Sequence, residues 1–164
     1  MRRLVLAALL ALSACTVQVT GAPKPDPAKP ALPDLNTVDP CTLLGESDFK
    51  KPLLGPPKRL TGELECTWAT EDEAVWLSVE DESLEQAKDR LTEGSELTVE
   101  GRKAWWGVER EVASTGQAFM VGIVVTELEP DSVMVLRSLI TPPSYSVGMA
   151  ARERSVKVLQ RLRP

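Results

Sequence analysis

Ala118-Phe119-Met120-Val121-Gly122-Ile123-Val124-Val125-Thr126-Glu127-Leu128-Glu129-Pro130-Asp131-Ser132-Val133-Met134-Val135-Leu136-Arg137-Ser138-Leu139-Ile140 is the stretch that decides the fold. Residues 118–126 and 132–140 are rich in Val, Ile and Leu and read as strands. Branched side chains of this kind fit a pleated, half-buried surface. Glu129-Pro130-Asp131 between them reads as a hairpin turn, because Pro presets φ and Asp favours turn backbone. A hairpin makes its strands antiparallel neighbours.

The same pattern extends upstream. Ala104–Val108 and Leu97–Val99 read as strands. Glu63–Thr70 and Ala74–Asp81 read as two more, joined by a Glu71-Asp72-Glu73 turn. Leu64, Cys66 and Trp68 alternate onto one face of the first, and Val75, Leu77 and Val79 onto one face of the second. Ser83 followed by Gln86 has the form of a capping box and opens a helix to Leu91, with Leu84, Ala87 and Leu91 on one side. Cys41–Lys50 reads as a short helix with Leu43, Leu44 and Phe49 as its apolar contacts, ended by Pro52 and Gly55-Pro56-Pro57. Val147–Leu162 carries an apolar stripe of Val147, Ala151, Val158 and Leu162. The expected class is α+β: a mostly antiparallel sheet with helices packed on it, and one disulfide.

The N-terminus reads as a bacterial lipoprotein signal. Arg2-Arg3, an apolar run from Leu4 to Leu12 and Ser13-Ala14 lead to Cys15. A basic start, a short apolar core and small residues make a cleavable secretory signal. The run is far short of the roughly 20 residues that span a bilayer. A cysteine at the cut supplies the thiol that takes diacylglycerol; an ordinary signal peptide with a coincidental cysteine is the competing reading. The expected organisation is 1–14 signal peptide, 15–38 lipidated N-terminus and tether, and 39–164 extracytoplasmic domain. Pro23, Pro25, Pro27, Pro30 and Pro33 exclude helix and ladder from the tether.

Charge and cysteine count narrow the function. Net charge is −5, and loss of Arg2 and Arg3 makes the mature chain more acidic. Nucleic-acid partners are excluded, since phosphates call for clustered Lys and Arg. With Cys15 spent on lipid, Cys41 and Cys66 remain as a pair, and outside the cytoplasmic membrane disulfides persist. Two reduced buried thiols are the competing arrangement. No metal centre or other cofactor is expected: there is no histidine, and the cysteines lack ligand spacing.

Asp39-Pro40-Cys41-Thr42-Leu43-Leu44, then Cys66-Thr67-Trp68, then Gly101-Arg102-Lys103-Ala104, lie behind a lipobox and a proline-rich tether. Together these resemble the actinobacterial lipoproteins of domain of unknown function family 3558, over roughly residues 37 to 164. The resemblance implies a membrane-anchored extracytoplasmic domain and carries no catalytic residue. Family members often hold a second cysteine pair, which this chain lacks.

The catalytic repertoire is thin. Absence of histidine removes the Ser-His-Asp and Cys-His nucleophile arrangements. Ser47-Asp48-Phe49-Lys50 matches Ser-x-x-Lys, but its companion Ser-Asp-Asn and Lys-Thr-Gly elements do not occur. Residues 63–100 hold thirteen acidic and two basic side chains, whereas 137–164 hold six basic and one acidic. The acids read as a solvated face, the basic stretch as its pairing partner. Calcium at Glu71-Asp72-Glu73 or Glu80-Asp81-Glu82 matches no EF-hand loop. Trp105 and Trp106 are adjacent on a strand and must point to opposite faces, one of them a candidate partner surface. The expectation is a non-enzymatic, lipid-anchored module on the outer face of the cell membrane that binds an envelope protein. Two alternatives stand beside it: a carrier or sensor of a small apolar ligand, and a carboxylate-dependent wall hydrolase.

Overall fold

The computed structural model describes residues 31–60, 65–91, 93–112, 118–142 and 146–163. The expected signal peptide, Cys15 and most of the expected tether lie outside these residues, as do Glu63 and Leu64 of the first predicted strand. The elements in chain order are β1 (Lys58–Arg59), β2 (Cys66–Ala69), β3 (Glu73–Glu80), α1 (Leu84–Asp89), β4 (Glu93–Val99), β5 (Arg102–Val112), β6 (Ala118–Glu129), β7 (Ser132–Ile140) and α2 (Val147–Arg161). They form one seven-stranded sheet in the order β1-β2-β3-β7-β6-β5-β4. Every neighbouring pair is antiparallel. This is the α+β architecture expected from the hairpin pattern.

The chain leaves β3, forms α1 over one face and restarts at the far edge as β4. Successive hairpins then carry it back until β7 pairs with β3. Pro130 and Asp131 close the β6–β7 hairpin on the Glu129–Ser132 pair, with a bulge between Glu127 and Glu129. Glu100 and Gly101 close β4–β5 with φ of 51° and 78°. That left-handed pair is what a two-residue hairpin whose twist matches its strands requires.

Alternation gives each sheet face its own apolar cluster. Trp68, Val75, Leu77, Val124, Met134 and Leu136 meet Ala151, Val158 and Leu159 of α2, together with Leu43, Leu44 and Phe49. Leu32, Leu35 and Val38, in the stretch expected as tether, also pack here. Val121, Ile123, Val125, Val133 and Val135 form the other face, against Ala87 of α1 with Leu84 and Leu91 beside it. The α2 backbone approaches the sheet at Gly122, where an added Cβ would lie 2.6 Å from the Val147 carbonyl carbon and oxygen. A side chain there would hold the helix away.

The Cys41–Cys66 disulfide ties the N-terminal segment to β2 across a separation of 25 residues. In the chain-entropy account such a closure is worth about 3 kcal/mol. Beside it, Trp68 Nε1 donates to the Leu44 carbonyl at 3.1 Å.

Three expectations are corrected. Cys41–Lys50 is not a helix but two short 3-10 turns, Pro40–Thr42 and Glu46–Asp48, parted at Gly45. The disulfide at Cys41 and the extended Gly45 backbone (φ −119°, ψ 173°) interrupt helical continuity. β4 and β5 run well beyond Leu97–Val99 and Ala104–Val108, because pairing organises their polar ends. β1 was not anticipated: two exposed residues carry no alternation signal. The α1 capping box holds, with Gln86 N donating to Ser83 Oγ and Ser83 N to Gln86 Oε1.

Candidate partner-binding surface

The two sheet faces are dressed unequally. The fifteen-residue α2 closes one face. The space left there, lined by Leu35, Leu43, Val79, Met134 and Leu162 among others, is about 10 Å³. A space of that size holds no ligand. The six-residue α1 covers only the middle of the other face.

Two grooves flank the uncovered parts. One, about 380 Å³, lies between α1 and strands β4 and β5, with Trp105, Leu84, Leu97, Thr98, Lys88 and Glu96 on its walls. The second, about 360 Å³, lies at the β2–β3 end, with Trp76 beside Thr67, Ala69 and Ala74 and the Leu54-Gly55-Pro56 loop as its other wall. Leu54 there is 72% exposed.

Trp105 and Trp106 point to opposite faces, as adjacent strand residues must. Their registers place Trp105 opposite Val125 of the α1 face and Trp106 opposite Val124 of the α2 face. Trp105 is half-buried under Lys88, whose Nζ lies 4.7 Å from the ring centroid. Its Nε1 is buried with no hydrogen-bond partner among the described residues. Trp106 packs its ring over Gly148 at the start of α2 and donates Nε1 to Ser95 Oγ. It stays 36% exposed, and Met149, the residue after Gly148, is 70% exposed. Which of the two is covered depends on where α1 and α2 land, and strand alternation alone does not tell.

The basic C-terminal stretch pairs with the acidic half. Arg154 meets Glu73 in a buried pair, with Ser138 Oγ donating to the other Glu73 oxygen at 3.0 Å. Arg163 meets Glu100, and Arg137 meets Glu80 at 3.3 Å. Arg161 and Lys157 hold Asp48, which also accepts from Gly45 N at 2.7 Å. Burial works to raise the Asp48 pKa, but these donors and cations hold its carboxyl below the ordinary value.

The acidic clusters are likewise engaged. Glu71 and Asp72 face Lys51, and Glu73 faces Arg154. Glu80 and Glu82 both bind Nη2 of Arg90. Burial and the neighbouring Glu80 carboxylate push the Glu82 pKa up, against the pull of Arg90. Glu80, opposed by its own burial, is held down by Arg90, Ser78 and Arg137. A hydrolytic pair needs its carboxyls facing across a substrate-sized gap of about 5–9.5 Å; here one guanidinium links both. Ser47 and Lys50 of the Ser-x-x-Lys match are both exposed at the 46–48 turn. No group of three or more His, Cys, Asp or Glu among the described residues is placed to hold a metal ion. No helix among them is long and apolar enough to cross a membrane.

No protein-family model matches the chain, and no curated protein matches it. Two solved structures align with part of the chain. A protein from Bacteroides thetaiotaomicron aligns over 58% of this chain and 38% of its own, at 8% identity and a TM-score of 0.44. A protein of unknown function from Pseudomonas aeruginosa aligns over 58% of this chain and 76% of its own, at 17% identity and a TM-score of 0.37. This chain thus spans well under half the length of the first.

Proposed function

We propose that this is a non-catalytic module, lipid-anchored through Cys15 on the outer face of the cell membrane, that binds a protein partner of the envelope. The observation that carries the binding reading is the uneven dressing of the sheet. One face is sealed by α2; the other keeps tryptophan-lined grooves on both sides of a short helix. Aromatic side chains beside open grooves are the groups that anchor protein interfaces. The anchor reading rests on Leu12-Ser13-Ala14-Cys15 and the proline-rich stretch behind it, and agrees with the resemblance to family 3558.

Site-specific photo-crosslinking in intact cells tests the binding reading. The crosslinker is placed in turn at Thr98, Leu54 and Met149, one per exposed region. A discrete adduct with another envelope protein from at least one position is expected. Absence of adducts at all three, with the protein at its normal level, contradicts it.

A further inference from the structure

We propose that the partner docks by adding a strand to β4, and that the docked segment is an extended, basic stretch of another protein chain. This rests on the partner-binding reading above and names its surface and chemistry.

The sheet has two edges, and they differ. β1 has two residues and follows Pro56-Pro57, which together prevent a long added strand. β4 has seven residues in continuous register with β5, from Glu93↔Val108 to Val99↔Arg102, with no bulge and no proline. No described strand pairs with its outer side. The Glu100-Gly101 turn closes on the Val99–Arg102 pair, whose N–H and C=O groups face each other. By antiparallel alternation, the N–H and C=O groups of Gly94, Glu96 and Thr98 then point away from β5. An unpaired row of this kind is a template for strand addition. At about 3.4 Å per residue it accepts a segment roughly seven residues long.

Charge selects the occupant. Glu93 is exposed at the start of β4, Glu96 in its middle is 81% exposed, and Glu85 on the facing helix is 79% exposed. Asp89 stands exposed at the end of that helix. Lys88 is already engaged by Glu85 and Glu96, which leaves Lys103 on β5 as the other cation beside the groove. Lys or Arg side chains on the alternate positions of an added strand that face α1 would meet Glu96 and Glu85, whereas Glu93 points to the opposite face. A second copy of this chain is disfavoured, because antiparallel β4–β4 pairing centred on the outward row sets Glu96 against its own counterpart. The Trp105 groove runs along the same strand and offers apolar wall to side chains that lean inward.

The test uses the disulfide-intact domain and three soluble nonapeptides: alternating Lys-Val, alternating Glu-Val, and Lys-Val with a central proline. Amide hydrogen exchange is read residue by residue. The Lys-Val peptide is expected to slow exchange at Gly94, Glu96 and Thr98 by about tenfold or more, and the other two to leave them unchanged. Thr98→Pro removes an outward N–H while sparing the ladder to β5, and should abolish the protection. Glu96→Lys, a substitution at an exposed side chain on the groove side of β4, should weaken binding several-fold at low salt. Binding that protects nothing in β4, or equal binding of the Glu-Val peptide, overturns the proposal. So does a dimer in sedimentation that Thr98→Pro returns to monomer. Crosslinks to an envelope protein from Leu54 or Met149 but not Thr98 would retain a partner and reject this surface.

Discussion

Small residues set how closely the layers of this protein approach. At Gly122 the first turn of α2 lies so near β6 that a methyl group would meet the backbone of Val147 and Gly148 at 2.6 to 2.7 Å. Backbone cannot swing aside as a flexible side chain can, so the helix itself must move. Gly122→Ala should cost about 1–3 kcal/mol in urea denaturation, the range of overpacked sites. Gly55, with nothing within 4 Å of its added Cβ, supplies the control: Gly55→Ala should stay within about 0.5 kcal/mol of the parent. Equal effects at the two positions would show that α2 does not sit where the close approach places it. Trp105 and Trp106 carry the same lesson for the surface. Their opposite orientation could be read from adjacency alone. The cover over each, Lys88 on one side and Gly148 on the other, is set by tertiary placement that no local pattern encodes.

At the scale of elements, legibility followed burial. β7 was expected at Ser132–Ile140 and lies there, because most of its residues are buried on one face or the other and it holds no Gly, Pro, Asn or Asp. α1 was legible from its capping box, and α2 from its apolar stripe. β4 was seen only at its Leu97–Val99 end, since Glu93, Gly94, Ser95 and Glu96 are exposed and gain strand structure by pairing with β5. Cys41–Lys50 misled because helical apolar spacing also suits two successive 3-10 turns when a disulfide holds one of them. That segment is fastened to α2 through Asp48, whose side chain is 5% exposed and whose folded pKa lies below the ordinary 3.8. A depressed carboxylate contributes stability that is complete above its unfolded pKa and is lost as pH falls through the folded value. Asp48→Asn should therefore destabilise by about 1–3 kcal/mol at neutral pH, the cost of disrupting a buried charged hydrogen-bond set. The difference from the parent should shrink as pH drops below 3.8 and further through the lowered folded value. A difference independent of pH would assign the effect to packing.

Across the whole molecule, one asymmetry organises the account. The chain concentrates acid in residues 63–100 and base in residues 137–164, and folding brings the two together through Glu73–Arg154, Glu80–Arg137 and Glu100–Arg163. These pairings spend the basic stretch within the fold, while Glu85, Glu93 and Glu96 remain exposed around α1 and β4. The molecule so dressed offers an acidic, open-edged side to its surroundings and a sealed face under α2. The proposed placement at a membrane surface joins this to the sequence, with the proline-rich stretch from residue 16 linking a lipid at Cys15 to the residues that pack from Leu32 onward. Intact mass of the native protein from membranes, before and after reduction and alkylation, tests that placement most directly. The account predicts a chain beginning at Cys15 with diacylglycerol mass, and alkylation of Cys41 and Cys66 only after reduction. An unlipidated chain, or thiols alkylated without reduction, would contradict it.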